Sequence, residues 1–551
     1  MVTASLFGRW LKERAELGSG EEQPPSHAEQ TPPQTRNHHS QSSIGAIMGD
    51  ERTLRRTVPE EPDERRPATL QQATTRSVAL AEPANSTSVT QSATQSATKP
   101  ADSSGSLALL DATPGRAIWK LAVPLTFGLV INAVYSWTDM YFVSRLGETA
   151  IAALGFSDQI MFILFTLASG FCIGAGIVIA RRIGENRGKV ARIVATQAFS
   201  FVAVYSTILA IALYLLAPAI LSGVGLSGPI YSAASLYMTT LVFGFPGSLI
   251  TFQASTALRS SGNTVFPMIV LIASAIVNAI LAPIFIFGYL GVPALGIQGA
   301  AIATATTQWV SAAITTYAMY SGRLNLQLYR PTLRFDWHVI GTIFRIGVPA
   351  SLQALSVSTS RLVMISLASS FGTAAAAAYT IGLRIDMFVF MPVFAVGIAI
   401  ETLVSQSIGA KLYGRVKLFR DTAIRHLAAV MIGCGLAIFL FAEGIAGVFT
   451  TDPEVVDLTV HYLHFAVFGY LFFSIGQSGL RSLSGAGHSL RSMMIAVATL
   501  YLVQIPLAYL LSAQPALGVT GVFLAIAIAY LALATISTFA VRGERWMYKR
   551  V

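Results

Sequence analysis

From residue 117 to residue 541 the sequence is a succession of apolar runs, each closed by a short polar stretch. A helix of about 20 apolar residues matches the hydrocarbon core of a bilayer. Hydrocarbon offers the backbone no hydrogen-bond partner, so each run must satisfy its own N–H and C=O groups by coiling. Twelve runs are present, at 117–143, 151–180, 193–217, 230–256, 265–290, 297–320, 341–368, 374–404, 422–449, 456–480, 491–512 and 517–541. Charged residues are 12% of the chain, against about 25% in soluble domains. The expected fold is all-α and integral to a membrane, with twelve transmembrane helices. Pro124, Pro218, Pro246, Pro283, Pro349, Pro392 and Pro506 fall in or at the ends of the runs, where membrane helices tolerate proline and kink.

Positive charge orients the runs, because Lys and Arg collect in cytoplasmic loops. Arg181, Arg182, Arg187, Lys189 and Arg192 follow the second run, and Arg259 follows the fourth. Arg323, Arg330 and Arg334 follow the sixth, and Lys411, Arg415, Lys417 and Arg420 the eighth. Arg481 and Arg491 follow the tenth, and Arg542, Arg545, Lys549 and Arg550 the twelfth. The loops between are nearly bare, so both termini are expected in the cytoplasm. Residues 1–113 hold 11 Lys/Arg and 14 Asp/Glu, and residues 114–551 hold 26 and 13. The excess positive charge therefore belongs to the membrane part and reports topology, not nucleic-acid binding.

The chain repeats itself. With a shift of 225 residues, AIWKLAVP (117–124) meets TIFRIGVP (342–349), VFGF (242–245) meets VFGY (467–470), and LRSSGNT (258–264) meets LSGAGHS (483–489). Near the end the shift is 222, where PALGIQG (293–299) meets PALGVTG (515–521). Six runs per copy make the halves parallel, an arrangement known in secondary transporters. The expected layout is an N-terminal six-helix lobe at 114–322, a cytoplasmic linker at 323–340, a C-terminal six-helix lobe at 341–541 and a short basic cytoplasmic tail at 542–551. Residues 1–113 are rich in Gln, Ser, Thr and Pro and include SVTQSATQSATK (88–99). Such composition cannot bury enough surface to fold, so a disordered cytoplasmic tail is expected. It has no secretory h-region, EEPDE (60–64) argues against a transit peptide, and Met48 offers an alternative start. Cys172 and Cys434 both sit in apolar runs and imply neither a disulfide framework nor a metal site.

One acid, Asp139, lies inside the first run, which continues past it through Tyr141, Phe142 and Val143. A carboxylate at the bilayer centre costs about 2.5–3.5 kcal/mol on insertion scales and by default marks a functional site. Tyr135, four residues earlier, shares its helical face. The plain alternative is a rim residue at the outer interface. In the repeat Asp139 maps onto Met364, Asp158 onto Leu383 and Glu401 onto Gly176. The polar chemistry of the halves has therefore diverged, and ion coupling is expected in the first.

Residues 115–541 resemble the multidrug and toxic compound extrusion (MATE) family, closer to its DinF-like prokaryotic branch than to the NorM-like one. The likeness rests on VPL in the first run, TDMYFVSRLG with AIAALG, RIGENRGK, ALRSSGNT, VNAILAPIFIFG with LGIQGAAIAT, and YTIGLRID with VSQSIGAK. It implies two six-helix lobes forming a V around a large cavity. It also implies export of amphiphilic, often cationic compounds by proton or sodium antiport, across a bacterial inner membrane. Asp139 stands at the family's first-helix aspartate, Tyr135 at its neighbouring tyrosine, Asn278 at the fifth-helix asparagine and Thr304 at the sixth-helix threonine. The family pattern expects a second aspartate where this chain has Ala282. The acids of the NorM-like seventh and tenth helices have no counterpart either; those runs carry Arg361 and Gln477.

A single carboxylate suits a proton, which needs one group whose affinity changes with hydration; a metal cation gathers several oxygens. The expectation is proton antiport with Asp139 as carrier and Tyr135, Asn278 and Thr304 around it, with sodium as the alternative ion. For Asn278 and Thr304 a purely structural interhelical hydrogen bond is the competing reading. Asp158 either supplies the acid missing at Ala282 or lies at the outer interface. Met140, Met161, Phe165, Met364, Met387, Phe390 and Met391 are expected to line an adaptable cavity, against a competing reading of core or lipid packing. Arg384 lines the cavity or meets an acid on another run; its neighbour Asp386, two residues on, cannot face it. Arg361 poses the same choice. Glu401 and Gln406, near the inner end of the eighth run, suit a gating or structural role.

The expected partners are membrane lipids, small amphiphilic or cationic substrates and protons, handled by a monomer. Nucleotide loops, metal clusters and cofactor motifs are absent from the sequence, so ion gradients rather than ATP or enzyme chemistry are expected. The nearest rival is a flippase for lipid-linked sugars, whose large anionic substrates call for several basic residues in the cavity. A membrane-embedded enzyme is the rival from a different class, and a scaffold or sensor whose tail does the work is a third.

Overall fold

The computed structural model describes residues 109–548. The low-complexity tail expected at 1–113 lies outside them up to residue 108. Among the described residues twelve long helices succeed one another: α1 Pro114–Ser144, α2 Glu148–Gly184, α3 Gly188–Gly223, α4 Gly228–Ser260, α5 Val265–Phe287 and α6 Ile297–Tyr320 form the first half. The second half comprises α7 Trp337–Ser369, α8 Thr373–Gly409, α9 Tyr413–Gly447, α10 Pro453–Gly485, α11 Ser489–Ser512 and α12 Val519–Arg542. Eleven are long and apolar enough to cross a membrane. The twelfth, α6, has 24 residues, but Thr304, Thr306, Thr307 and Gln308 dilute its hydropathy.

Several helices overrun the apolar runs, and two of them, α7 and α10, carry a side-chain cap at the start, Asp336 and Asp452. Asp336 accepts from the backbone N–H of His338 at 3.0 Å and of Val339 at 3.4 Å, so α7 starts ahead of its apolar run. Two helices break locally before a proline. In α4 a 3₁₀ turn, Val242–Gly244, precedes Pro246, and in α11 a π-turn, Thr499–Gln504, precedes Pro506. Each proline lacks an N–H and crowds the carbonyl four residues back, which falls inside the altered turn.

The sequence repeat is also written in the backbone. Gly147 and Gly372, 225 positions apart, begin the second helix of each half with φ of +97° and +116°, a region that favours glycine. Asn186 and Lys411, at the same separation, turn the chain after α2 and α8 with φ of 56° and 60°.

Each half has one apolar core, and the cores trade helix ends. Ala117, Ile118, Leu121 and Ala122 of α1 pack into the core of the second half. Ile340, Ile343 and Ile346 of α7, their repeat mates or neighbours, pack into the core of the first. The boundaries expected at 114 and 341 therefore mark repeats, while the packed lobes cross over at α1 and α7. The crossing is close: a Cβ on Gly170 of α2 would lie 2.6 Å from the Gly347 carbonyl of α7, and one on Gly347 would lie 2.3 Å from the Gly170 carbonyl.

At the end bearing the basic loops the lobes touch directly. A Cβ on Gly184 would lie 2.0 Å from the Gln406 carbonyl. Ser405 Oγ donates to the Ile177 carbonyl at 2.8 Å, and Gln406 Nε2 donates to the Ser260 carbonyl at 2.8 Å. Gln406 thus bridges the lobes. Two flanking segments are packed where tails were expected. Leu109 and Leu110 are buried, and Arg415 donates to the Ala112 carbonyl at 2.6 Å. Trp546 and Met547 of the final turn Arg545–Tyr548 are buried as well. Both segments carry apolar side chains that the charge-based boundaries overlooked.

Candidate coupling and substrate site

Asp139 lies in the last third of α1, and α5 and α6 pack beside that helix. Thr304 Oγ1 of α6 donates to Asp139 Oδ2 at 3.2 Å. Asn278 Nδ2 of α5 donates to Thr304 Oγ1 at 3.3 Å. Three residues from three helices form one chain of hydrogen bonds, and Tyr135 lies against Thr304 and Asp139. Asn278 is fully buried and Asp139 is half-buried. Asp139 Oδ1 and Asn278 Oδ1 are buried without a hydrogen-bond partner. Buried polar oxygens are costly to leave unpaired, and both belong to residues of this one network. Ala282, where the resemblance expected an acid, is buried in the lobe core. Asp158 of α2 stands within electrostatic reach of Asp139 and accepts from Tyr237 Oη at 3.4 Å.

Tyr135 also lines a cavity of about 530 Å³ bounded by α1, α2, α4, α5, α6, α8 and α10. Its wall mixes apolar side chains such as Leu129, Phe165 and Phe252 with Ser248, Thr251, Ser274 and Gln308. Arg259, Glu401 and Arg481 lie on the wall at the end nearest the basic loops. Arg481 Nη1 donates to Glu401 Oε2 at 3.1 Å. Arg259 Nη2 donates to Thr256 Oγ1 at 2.7 Å, and its guanidinium lies 5.5 Å from the Phe252 ring centre.

Of the residues expected to line the cavity, Phe165 does so. Met161, Met364, Phe390 and Met391 are buried in the lobe cores instead. Phe390, for example, packs against Phe473 with ring centres 4.2 Å apart. Met140, Met387 and Arg384 are exposed and line neither this cavity nor the one described next. Methionine and phenylalanine serve core and cavity equally, so composition cannot separate the two; helical facing does.

The sequence reading missed two features. Arg259 and Arg481 read as loop charges but sit on the cavity wall. Asp386 read as a flanking residue of Arg384 but is the centre of a second polar site. It is buried in the second lobe and accepts from Tyr462 Oη at 2.6 Å and Tyr470 Oη at 2.7 Å. A cavity of about 80 Å³ adjoins it, lined also by Arg361, Gln477 and the π-turn residues Thr499 and Gln504. Tyr462 and Tyr470 are eight residues apart on α10, hence on one face, the signal that a helical reading could have used.

Comparison with known proteins follows the same lines. The MatE family model matches residues 124–284 and again 349–510, one match per repeat. A Thermotoga maritima protein named "Probable multidrug resistance protein NorM" is 27% identical over 78% of this chain and 93% of its own length. A Shewanella oneidensis FAD transporter is 26% identical over 77% of this chain and 93% of its own. Among solved structures, an outward-facing multidrug resistance MATE transporter of the MOP superfamily superposes with a TM-score of 0.74 at 23% identity, covering 81% of this chain and 99% of that one. Two matches that together span more than half of the sequence, on a fold of two repeated six-helix halves, establish that the chain belongs to the MatE family, the multidrug and toxic compound extrusion transporters.

Proposed function

We propose that this chain exports amphiphilic small molecules in exchange for protons, with Asp139 as the proton carrier and Tyr135, Asn278 and Thr304 tuning it. The observation that carries the reading is the hydrogen-bond chain Asn278–Thr304–Asp139. It ties the one acid of α1 to two further helices beside a cavity large enough for a drug-sized molecule. A shift in helix packing alters this chain and the water around the carboxylate together, and hydration governs how tightly a carboxylate holds its proton. The cavity then changes with the proton's presence, which is what antiport requires. Both termini lie in the cytoplasm on this reading, in a bacterial inner membrane, and contact between the lobes at the basic-loop end leaves the cavity to open outward. The names of the relatives, multidrug export and FAD transport, support substrates with a large planar or apolar body.

One observation favours sodium as a second reading. Asp139 Oδ1 and Asn278 Oδ1 are both unpaired oxygens, and Asp158 adds a second negative charge within electrostatic reach, surroundings that suit a hard cation. The full chain reconstituted in liposomes and loaded with ethidium separates the two. Efflux driven by a pH gradient without sodium supports the proton. Efflux that requires a sodium gradient at constant pH replaces it with sodium at the same residues.

A further inference from the structure

We infer that the end of the central cavity nearest the basic loops is a binding site for an acidic head group, held between Arg259 and Arg481, so that the substrate is an amphiphile carrying a carboxylate or phosphate. The inference rests on the reading of this cavity as the substrate's seat and names the chemistry that the seat accepts.

Three charged side chains lie on the cavity wall, Arg259, Glu401 and Arg481. Two are cations and one is an anion. Glu401 spends one oxygen on Arg481 Nη1 at 3.1 Å. Arg481 Nε is buried and has no hydrogen-bond partner, and the same holds for Glu401 Oε1. Arg259 donates to a hydroxyl, Thr256 Oγ1, and stacks near Phe252. One carboxylate therefore serves two guanidiniums, and a positive charge is left over inside an apolar wall. Such a charge is strongly felt where little water screens it. Guanidinium is the side chain best matched to carboxylate and phosphate, because its planar fork offers paired donors.

The rest of the cavity fits the body of such a molecule. Leu129, Phe165, Ile173, Phe252 and Leu271 give it an apolar surface. The polar groups between them are neutral, and Thr251 Oγ1 and Gln308 Oε1 have no partner. Asp139 does not oppose an anion at this end. The wall residues of α1 run from Pro124 to Tyr135, about 16 Å of helix at 1.5 Å per residue, and Asp139 lies a further turn away. Acid and guanidiniums thus stand at opposite ends. The repeat does not duplicate the cluster: Glu401 corresponds to Gly176, Arg481 to Thr256 and Arg259 to Ser484.

The test uses three probes that share one body: pyrenebutyrate, pyrenebutanamide and pyrenebutyl-trimethylammonium. Each is titrated against the full chain in nanodiscs, with empty nanodiscs as background. Charged hydrogen bonds to a guanidinium make the carboxylate bind about ten-fold more tightly than the amide. Arg259→Gln brings that ratio close to one, and Arg259→Lys retains part of it. The comparison of head groups on the unaltered protein decides the matter even if a variant fails to fold. Equal binding of carboxylate and amide, or tightest binding of the trimethylammonium probe, overturns the anionic site and leaves export through this cavity standing. Absence of binding by all three removes the cavity as the substrate's seat, and the proposal falls with it.

Discussion

Thr304 Oγ1 donates to Asp139 Oδ2 at 3.2 Å across 165 residues of chain, and the same hydroxyl accepts from Asn278 Nδ2 at 3.3 Å. One threonine therefore links the fifth and sixth helices to the acid of the first. The hydroxyl can serve both only while the three helices keep their present packing.

Thr304→Val keeps the shape and removes both hydrogen bonds. A hydrogen bond to a charged group contributes about 1.5–3 kcal/mol, so gradient-driven efflux should fall about ten-fold or more. Thr304→Ser, which restores the hydroxyl, should recover most of it. Initial rates in liposomes measure both, and a Thr304→Val rate equal to wild type would remove the residue from the coupling site.

In the second lobe, Asp386 depends on two tyrosines. Tyr462→Phe deletes the 2.6 Å donor and leaves a buried carboxyl oxygen unpaired, a loss of about 1–3 kcal/mol. Tyr470→Phe deletes the 2.7 Å donor with a similar loss. The double variant should differ from the sum of the two, because the residues share one partner. Thermal unfolding in detergent reads all three, and unchanged midpoints would mean that the pair does not hold Asp386.

Gly184 and Gly409 let α2 and α8 meet. A Cβ on Gly184 would lie 2.0 Å from the Gln406 carbonyl, and one on Gly409 would lie 2.3 Å from the Arg181 carbonyl. Gly184→Ala cannot be absorbed by a side-chain rotation, since the obstacle is backbone, and overpacking of this kind costs about 1–3 kcal/mol. The variant should spread the lobes at this end and raise the thiol-labelling rate of a Ser405→Cys reporter. A rate unchanged by Gly184→Ala would contradict the close approach.

Beyond the end of α12, Glu544 is hydrogen-bonded to Lys417 in the first turns of α9, ahead of its apolar run, and this bond, with the lysine's charge, holds the Glu544 carboxyl below its ordinary pKa. A depressed carboxylate pKa means that the pair supports docking of the Arg545–Tyr548 turn at neutral pH. That support is lost as pH falls through the folded-state value. Glu544→Gln should therefore quicken proteolysis at the C-terminal end at neutral pH and make no difference in acid. Both groups are solvent-exposed, so added salt should shrink the effect.

The helices, their number and the repeat were legible because apolar length and a fixed 225-residue shift are properties of the chain alone. Asp139, Tyr135, Asn278 and Thr304 were legible as a set through family resemblance, and the structure brings them together. The cavity wall was not. Met364 and Phe390 carry the side chains of an adaptable pocket, yet their helical faces turn into the second lobe's core. Arg259 and Arg481 looked like loop charges because they stand near helix ends, and only the folded arrangement places them on the cavity wall. The exchange of α1 and α7 between cores was hidden for a similar reason. Which lobe a helix end packs into depends on crossing geometry, which for α7 is the close approach of Gly170 and Gly347, rather than on hydrophobic pattern.

The central claim is that Asp139 carries the coupled proton. Its most direct test is pH-gradient-driven ethidium efflux from liposomes holding the full chain, wild type beside Asp139→Asn. Asparagine keeps the size and the contact with Thr304 but cannot release a proton. The account predicts efflux from the wild type and none above background from the variant. Efflux from Asp139→Asn at the wild-type rate, driven by the same gradient, would contradict it.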